Sequence, residues 1–359
     1  MKKRLPAKEA SAGGSFKGPG RQIQKGRDRM NILFCSVGRR CELLKDFRQS
    51  LGPELKIVVT DNSEVAPAMA FADRAYRVPL IHAPEYIPMI LEICKKERID
   101  AITTLIDPEI MLLAQHREAF EALGVTVLAP YEQTARLCFD KYEMYQFLVK
   151  NQIRTARTCG SWPEFDRAYR AGEISFPVFV KPRTGSGSVG ARRIDTPELL
   201  KQVMDQDEGL IVQELMTGQD LDADVYVDTI SHQPVAIFSK RKLSTTIGGA
   251  NKTISFKDEA LFTFVRKVLS ILKFCGPLDM DFFYQDGEYF LSEINPRFGG
   301  AYLHAYGAGV DFVKLIRENV AGRENREQIG DYEEDVVMMM YDSVVIRKKS
   351  EIEASLARL

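Results

Sequence analysis

The stretch Leu291-Ser292-Glu293-Ile294-Asn295-Pro296-Arg297-Phe298-Gly299-Gly300 decides the reading of this chain. It places a carboxylate, an amide and a guanidinium at one strand end. Side chains alternate along a strand, so Glu293 and Asn295 share a face, with Arg297 just beyond. The oxygens of Glu293 and Asn295 are hard ligands that suit magnesium, and a guanidinium pairs bidentately with a phosphate. Ten residues alone read equally well as a strand ending in a Pro-Arg-Phe-Gly-Gly turn, so the rest of the chain must choose.

Just upstream, Cys275-Gly276-Pro277-Leu278-Asp279-Met280-Asp281-Phe282 alternates Asp279 and Asp281 onto one face of an apolar strand. If a hairpin closes at Asp286-Gly287, Asp281 comes opposite Glu293 and Asn295. Burying that many oxygens is costly unless a cation or hydrogen-bond donors compensate. Magnesium is the natural compensation. Further back, Lys181 ends a buried apolar strand and runs into Pro182-Arg183-Thr184-Gly185-Ser186-Gly187-Ser188-Val189-Gly190. Such a loop can turn several backbone N–H groups toward phosphate oxygens while the lysine adds a compact charge. It lacks G-x-x-x-x-G-K-[ST], which excludes a P-loop. Gln213-Glu214-Leu215-Met216 closes the following strand, and its backbone could meet an adenine edge, with Glu214 or Asp220 at amino or hydroxyl groups. By themselves those acidic residues read as a solvated turn.

Outward from these segments, the chain divides in two. From Asn31 to about Leu128, apolar runs such as 32–37, 57–61, 101–106 and 125–128 alternate with helical stretches. This is the pattern of a parallel sheet covered on both faces. Ligands of such sheets sit beyond the carboxyl ends of the strands, here at Ser36-Val37-Gly38-Arg39-Arg40, Asp61-Asn62-Ser63 and Asp107-Pro108-Glu109. The first turn lacks G-x-G-x-x-G, which disfavours a dinucleotide. After about residue 140 the strands lengthen and pair as hairpins, an α+β pattern. The expected divisions are a disordered basic extension at 1–29, a parallel α/β domain at 30–135, a second domain at 136–330 with a lid at about 155–212, and a C-terminal strand and tail at 331–359.

Composition narrows the class. The 359 residues suffice for two or three domains, and a formal charge of -1 gives no global attraction to nucleic acid. No apolar run reaches the roughly 18–20 residues that span a bilayer, and no signal segment opens the chain, so the expectation is a cytoplasmic protein without membrane or nucleic-acid partners. The six cysteines form no C-x-x-C pair and read as packing thiols. A homodimer stays open.

In order, Phe139-Asp140-Lys141, Val180-Lys181-Pro182-Arg183 with its Gly/Ser loop, Glu214-x-x-x-Gly218-x-Asp220, Asp281 and Glu293-x-Asn295-x-Arg297 resemble the ATP-grasp superfamily. The resemblance covers about 31–330, with the first domain similar to a Rossmann-like pre-ATP-grasp domain. The nearest likeness is to the carbamoyl-phosphate-synthase-like branch of carboxylate-amine ligases, which includes the pyrrolysine-biosynthesis ligase. It implies ATP with Mg2+ (or Mn2+) as cofactors. Lys141 and Lys181 would contact phosphates, with Gly185, Ser186, Gly187 and Ser188 closing over them. Glu214 and Leu215 would line the adenine, and Asp220 would hold the ribose, where the family commonly has glutamate. Asp281, Glu293 and Asn295 would bind metal, and Arg297 and Lys181 would act on the transferred phosphoryl group.

The implied reaction joins a small, amino-acid-like carboxylate to an amine through an acyl phosphate. Such chemistry needs positioning and charge neutralisation rather than a covalent nucleophile, which agrees with four scattered histidines. For the acceptor substrates the candidates are Arg39 and Arg40, then Lys240, Arg241 and Lys242, and His304. Each also reads as surface or packing. Gly248-Gly249-Ala250-Asn251-Lys252 reads as a substrate loop. A single carbamoyl-phosphate-synthase-like unit acting on bicarbonate, or a non-catalytic ATP-binding module, is the alternative. A hydride-transfer enzyme would leave the Glu293 cluster unexplained.

Overall fold

A computed structural model describes residues 29–185, 190–246 and 249–359. Most of the first 29 residues, together with Ser186, Gly187, Ser188 and Gly248, therefore lie outside the described residues. Five parallel strands, β1 (Met30–Cys35), β2 (Leu55–Asp61), β3 (Arg74–Arg77), β4 (Ala101–Thr104) and β5 (Thr126–Val127), form a sheet in the order β3-β2-β1-β4-β5. Along β1, Ile32 and Phe34 point into one core with Leu43, Leu44 and Phe47, while Leu33 and Cys35 point into another with Ile90 and Ile93. Both faces are thus covered, as continuous apolar strands demand. The helical stretch between β4 and β5 breaks at His116 into Asp107–Gln115 and Arg117–Ala122.

Four strands, β6 (Thr158–Cys159), β7 (Val178–Pro182), β8 (Arg192–Ile194) and β9 (Leu210–Glu214), make a small antiparallel sheet ordered β6-β9-β7-β8. It packs on the helices Trp162–Arg170 and Pro197–Gln206 through a core of its own that includes Phe165, Val178, Val180, Leu200 and Val212.

The last six strands are β10 (Gln219–Val227), β11 (Pro234–Thr246), β12 (Gly249–Phe256), β13 (Gly276–Gln285), β14 (Glu288–Asn295) and β15 (Val337–Met339). They form an antiparallel sheet ordered β14-β13-β10-β11-β12-β15. One face is apolar: Leu221, Ala223, Val225, Met280, Phe282 and Ile294 join Leu261, Val265 and Val268 of the helix Glu259–Ser270 in the largest core. That core also holds Ile32, Phe34 and Phe47, so the parallel sheet and this one are welded together. The segment 249–252, expected as a loop, is the start of β12. Past β15 the chain runs through the helix Lys349–Ser355 and returns to the first sheet, where Ala357 N donates to Ala75 O at 2.8 Å. Among the described residues no helix is long and apolar enough to cross a membrane.

Candidate functional site

Alternation sends the polar residues of β10, β11, β13 and β14 to the opposite face. Register places Asp222 across from both Lys240 and Asp281, Asp224 across from Asp279, and Asp281 across from Glu293. The β13–β14 hairpin turns through Asp286 (φ 53) and Gly287 (φ 81), left-handed positions that suit a two-residue loop. Phe282 pairs with Leu291, but Asp281 pairs with Glu293, so Ser292 is an extra residue in β14. This bulge matters. Without it, Glu293 and Asn295 would point to the apolar face, because one residue of slip inverts a strand.

The resulting surface has one end rich in partly exposed carboxylate and amide groups and another filled by lysines. Asn295 Nδ2 donates to Asp281 Oδ2 at 3.2 Å, and the Asp281 and Glu293 side chains remain about a quarter exposed. Opposite them, Lys141 Nζ lies 3.5 Å from Glu293 Oε1 and donates to Gly185 O at 2.5 Å. Lys181, at the end of β7, is set so that burial pushes its pKa down while the Glu293 charge works to raise it. Two partly exposed carboxylates and an amide oxygen beside two ammonium groups fit a hard divalent cation carrying phosphate. A narrow pocket lined by Asp107, Met111, Phe139, Gly185, Glu293 and Asn295 enters this region.

The chain leaving β7 is fastened from below. Asp140 caps the helix Lys141–Lys150 by accepting from Tyr142 N and Glu143 N, and it also receives Arg183 through Nε at 2.8 and 2.7 Å. Lys141 N donates to Arg183 O at 3.0 Å. On β9, Glu214 is half-buried and accepts from Arg157 N at 2.6 Å, so its carboxylate is turned to the segment before β6. Leu215 is half-buried beside it. Gly218 has no room for a side chain, since a Cβ there would collide with Tyr284 O.

Deeper on the same face, Lys240 and Asp224 form a wholly buried ion pair. Lys242 reaches three carboxylates at once, Asp220 at 2.9 Å, Asp222 at 2.7 Å and Asp281 at 2.6 Å. Burial works to raise Asp281, but the Lys242 charge overrides it and holds that carboxyl below its ordinary value. Asp220, expected at a ribose, is thus already held by Lys242.

The parallel sheet reaches the site through its carboxyl ends. Arg297 Nε donates to Asp107 Oδ1 at 2.8 Å, and Nη1 lies 3.6 Å from Asp279 Oδ2. Arg40 Nη2 donates to Phe298 O at 2.5 Å and Gly299 O at 2.9 Å, and burial together with the Arg297 charge pushes its pKa down to about 10. Gly299 is required here. A Cβ would come within 3 Å of the Asp279 and Asp224 carboxylates. Beside this junction opens an apolar cleft of about 830 Å3 with His82 and His116 in its wall, which shares Met111 and Phe139 with the narrow pocket.

Two of the residues considered for substrate are not brought to this surface, and Arg39 is exposed after β1. Arg241 lies on the other face of β11, its guanidinium 4.3 Å from the Phe256 ring centre, because neighbours on a strand point apart. His304 is 2% exposed, with Nδ1 2.7 Å from Thr253 Oγ1 and Nε2 2.9 Å from Val336 O, so neither nitrogen is left for a ligand. Lys240 does lie on the charged face, but it is sealed beneath it. Sequence reasoning passed over Asp107 as an arginine partner and Asp222 altogether; the Asp220-x-Asp222-x-Asp224 alternation was the signal that could have found the latter.

Residues 138–301 match the family model described as an ATP-grasp domain, and residues 32–128 match the PylC-like N-terminal domain. Residues 138–301 form an ATP-grasp domain. The arginine-specific large chain of carbamoyl phosphate synthase from Bacillus subtilis (strain 168) is 22% identical over 260 residues, covering 69% of this chain and 25% of that one. The chain spans about a quarter to a third of the length of several curated relatives that it matches. Among solved structures, N5-carboxyaminoimidazole synthetase from Staphylococcus aureus with ADP aligns at a TM-score of 0.67 and 16% identity, covering 83% of this chain and 79% of that one. The biotin carboxylase domain of Hydrogenobacter thermophilus 2-oxoglutarate carboxylase, with MgADP and bicarbonate, aligns at 0.68 and 18%, covering 86% and 73%. The ATP-grasp fold thus extends over most of the described chain, and ATP with Mg2+ is what such folds use.

Proposed function

We propose that this chain is an ADP-forming carboxylate-amine ligase. A substrate carboxylate attacks the γ-phosphorus of ATP and ADP leaves; an amine then attacks the acyl carbon and displaces phosphate, leaving an amide. The observation that carries this reading is the convergence of Lys141 and Lys181, from below and from the β7 lid strand, on a face where the bulged hairpin gathers Asp281, Glu293 and Asn295. In this reading the two lysines bind phosphate oxygens, and Asp281, Glu293 and Asn295 would hold magnesium. When bound, magnesium would neutralise phosphate charge during transfer. The backbone at Glu214 and Leu215 borders the adenine, Asp220 the ribose, and Gly185 lies by the phosphates.

Arg297 is anchored bidentately to Asp107, which aims it from the junction of the two sheets rather than from the lid. A guanidinium fixed in that way stabilises charge developing on the transferred phosphoryl group without reorganising. The carboxylate and amine then enter from the parallel-sheet side, where the apolar cleft adjoins the narrow pocket. That placement suits small substrates with an aliphatic or aromatic body. The lid is assigned to about residues 155–212, supported by its separate core.

The test is ADP release from Mg·ATP against a panel of amino acids and small carboxylates with amines, read with product masses. Substrate-dependent ADP and a product equal to acid plus amine minus water supports the ligase. Turnover with bicarbonate and ammonia alone moves the reading to carbamoyl phosphate formation, and ATP binding without turnover moves it to a binding module.

A further inference from the structure

We propose that Lys242 is a positioning residue that ties the sugar end of the nucleotide site to its metal end, filling with an ammonium the place among Asp220, Asp222 and Asp281 where an ion would otherwise sit. The inference rests on the assignment of Asp281 to the metal. Carboxylate oxygens of the three aspartates lie within 4.8 Å of one another, close enough to hold a metal ion together. Lys242 Nζ meets all three, at 2.9, 2.7 and 2.6 Å, with its side chain 11% exposed. An ammonium has three donors that can point in three directions, whereas a planar guanidinium fork cannot serve three carboxylates around one point.

Asp281 is the member that matters to the reaction. Its Oδ1 is taken by Lys242 and its Oδ2 by Asn295 Nδ2, so both oxygens are aimed before any ligand arrives. Asp222 is the most deeply buried of the three, which makes it the anchor of the arrangement. Two consequences follow from charge alone. Lys242 denies the three-carboxylate site to free divalent ions, and it links the Asp220 carboxylate to Asp281, so that occupancy at one end is felt at the other.

The experiment titrates the full chain with Mn2+ alone, without nucleotide, and reads the free-ion signal by electron paramagnetic resonance. Wild type should bind Mn2+ weakly. Lys242→Met should bind one Mn2+ at least tenfold more tightly, and Lys242→Met with Asp222→Asn should lose most of that gain. If the methionine variant does not fold, Lys242→Gln, which keeps length and polarity, answers the same titration. Superimposable Mn2+ curves for wild type and the folded Lys242 variant overturn the proposal. In active protein, the same variant should raise KM for Mg·ATP several-fold more than it lowers kcat; an effect on kcat alone also overturns it. Because the titration needs no turnover, its failure is distinct from failure of the ligase reading, which would appear as missing substrate-dependent ADP in wild type.

Discussion

The charged face of the six-stranded sheet meets lysines in two regions, its own strand β11 and the helix and lid strand that face Glu293, and the two are satisfied to different degrees. In the first region Lys240 is paired with Asp224, and Lys242 with Asp220, Asp222 and Asp281, at hydrogen-bonding distance. In the other, Lys141 stands 3.5 Å from Glu293, and among the described residues Lys181 makes no ion pair. Charges that satisfy one another form a floor; charges left facing each other across a pocket need a ligand to complete them. The difference separates lysines already satisfied within the sheet from lysines that face it across a gap, a distinction that residue type by itself does not make.

That contrast can be broken by mutation, and the largest expected effect is in the satisfied region. Lys240→Met leaves Asp224 as an uncompensated buried charge and should cost about 3–5 kcal/mol of stability, measured by urea unfolding. Loss of less than 1 kcal/mol would show that Asp224 is not charged there. In the open region, Glu293→Gln should lower turnover about 10²–10³-fold, or roughly 3–4 kcal/mol, while the unfolding midpoint stays near wild type. A large fall in stability would place Glu293 with the floor instead.

His304 sharpens the comparison through pH. Burial first, then the Lys240 charge, lower its pKa from 6.5 to about 4, so the unfolded chain binds the proton more readily than the folded one. Its contribution is present above pH 6.5 and is lost as pH falls toward 4, at most about 3 kcal/mol. His304→Asn should flatten that dependence; identical pH profiles for variant and wild type would contradict it. Smallest is Gly218→Ala, expected to cost about 1–3 kcal/mol because Tyr284 O occupies the space a methyl needs. A variant as stable as wild type would mean that the β9–β10 connection shifts freely.

Much of this was legible beforehand, and the exceptions share a cause. Four of the five parallel strands announced themselves as apolar runs, whereas β3, with an arginine at each end, did not, and Asp286-Gly287 marked the hairpin. Strand β12 did not, because Thr253 and Ser255 are fully buried polar residues whose hydroxyls bond His304 and the 333–336 segment. A strand whose inward side is polar and satisfied by distant partners lacks the apolar alternation that reveals strands. Residues 240–242 read as one basic cluster, yet the pleat sends Arg241 to Phe256 and its neighbours to the acidic face.

Sequence by itself determined the ATP-grasp order of motifs, the two kinds of sheet, and the residue types able to bind phosphate and metal, since these follow from local periodicity and side-chain chemistry. Only the tertiary structure decided which charges meet. The extra residue at Ser292 turns Glu293 and Asn295 to the polar face, and strand register delivers Lys242 to three aspartates. Bulges and registers are set by packing between distant segments, and a one-residue slip inverts a strand, so no window of sequence around Glu293 contains that information.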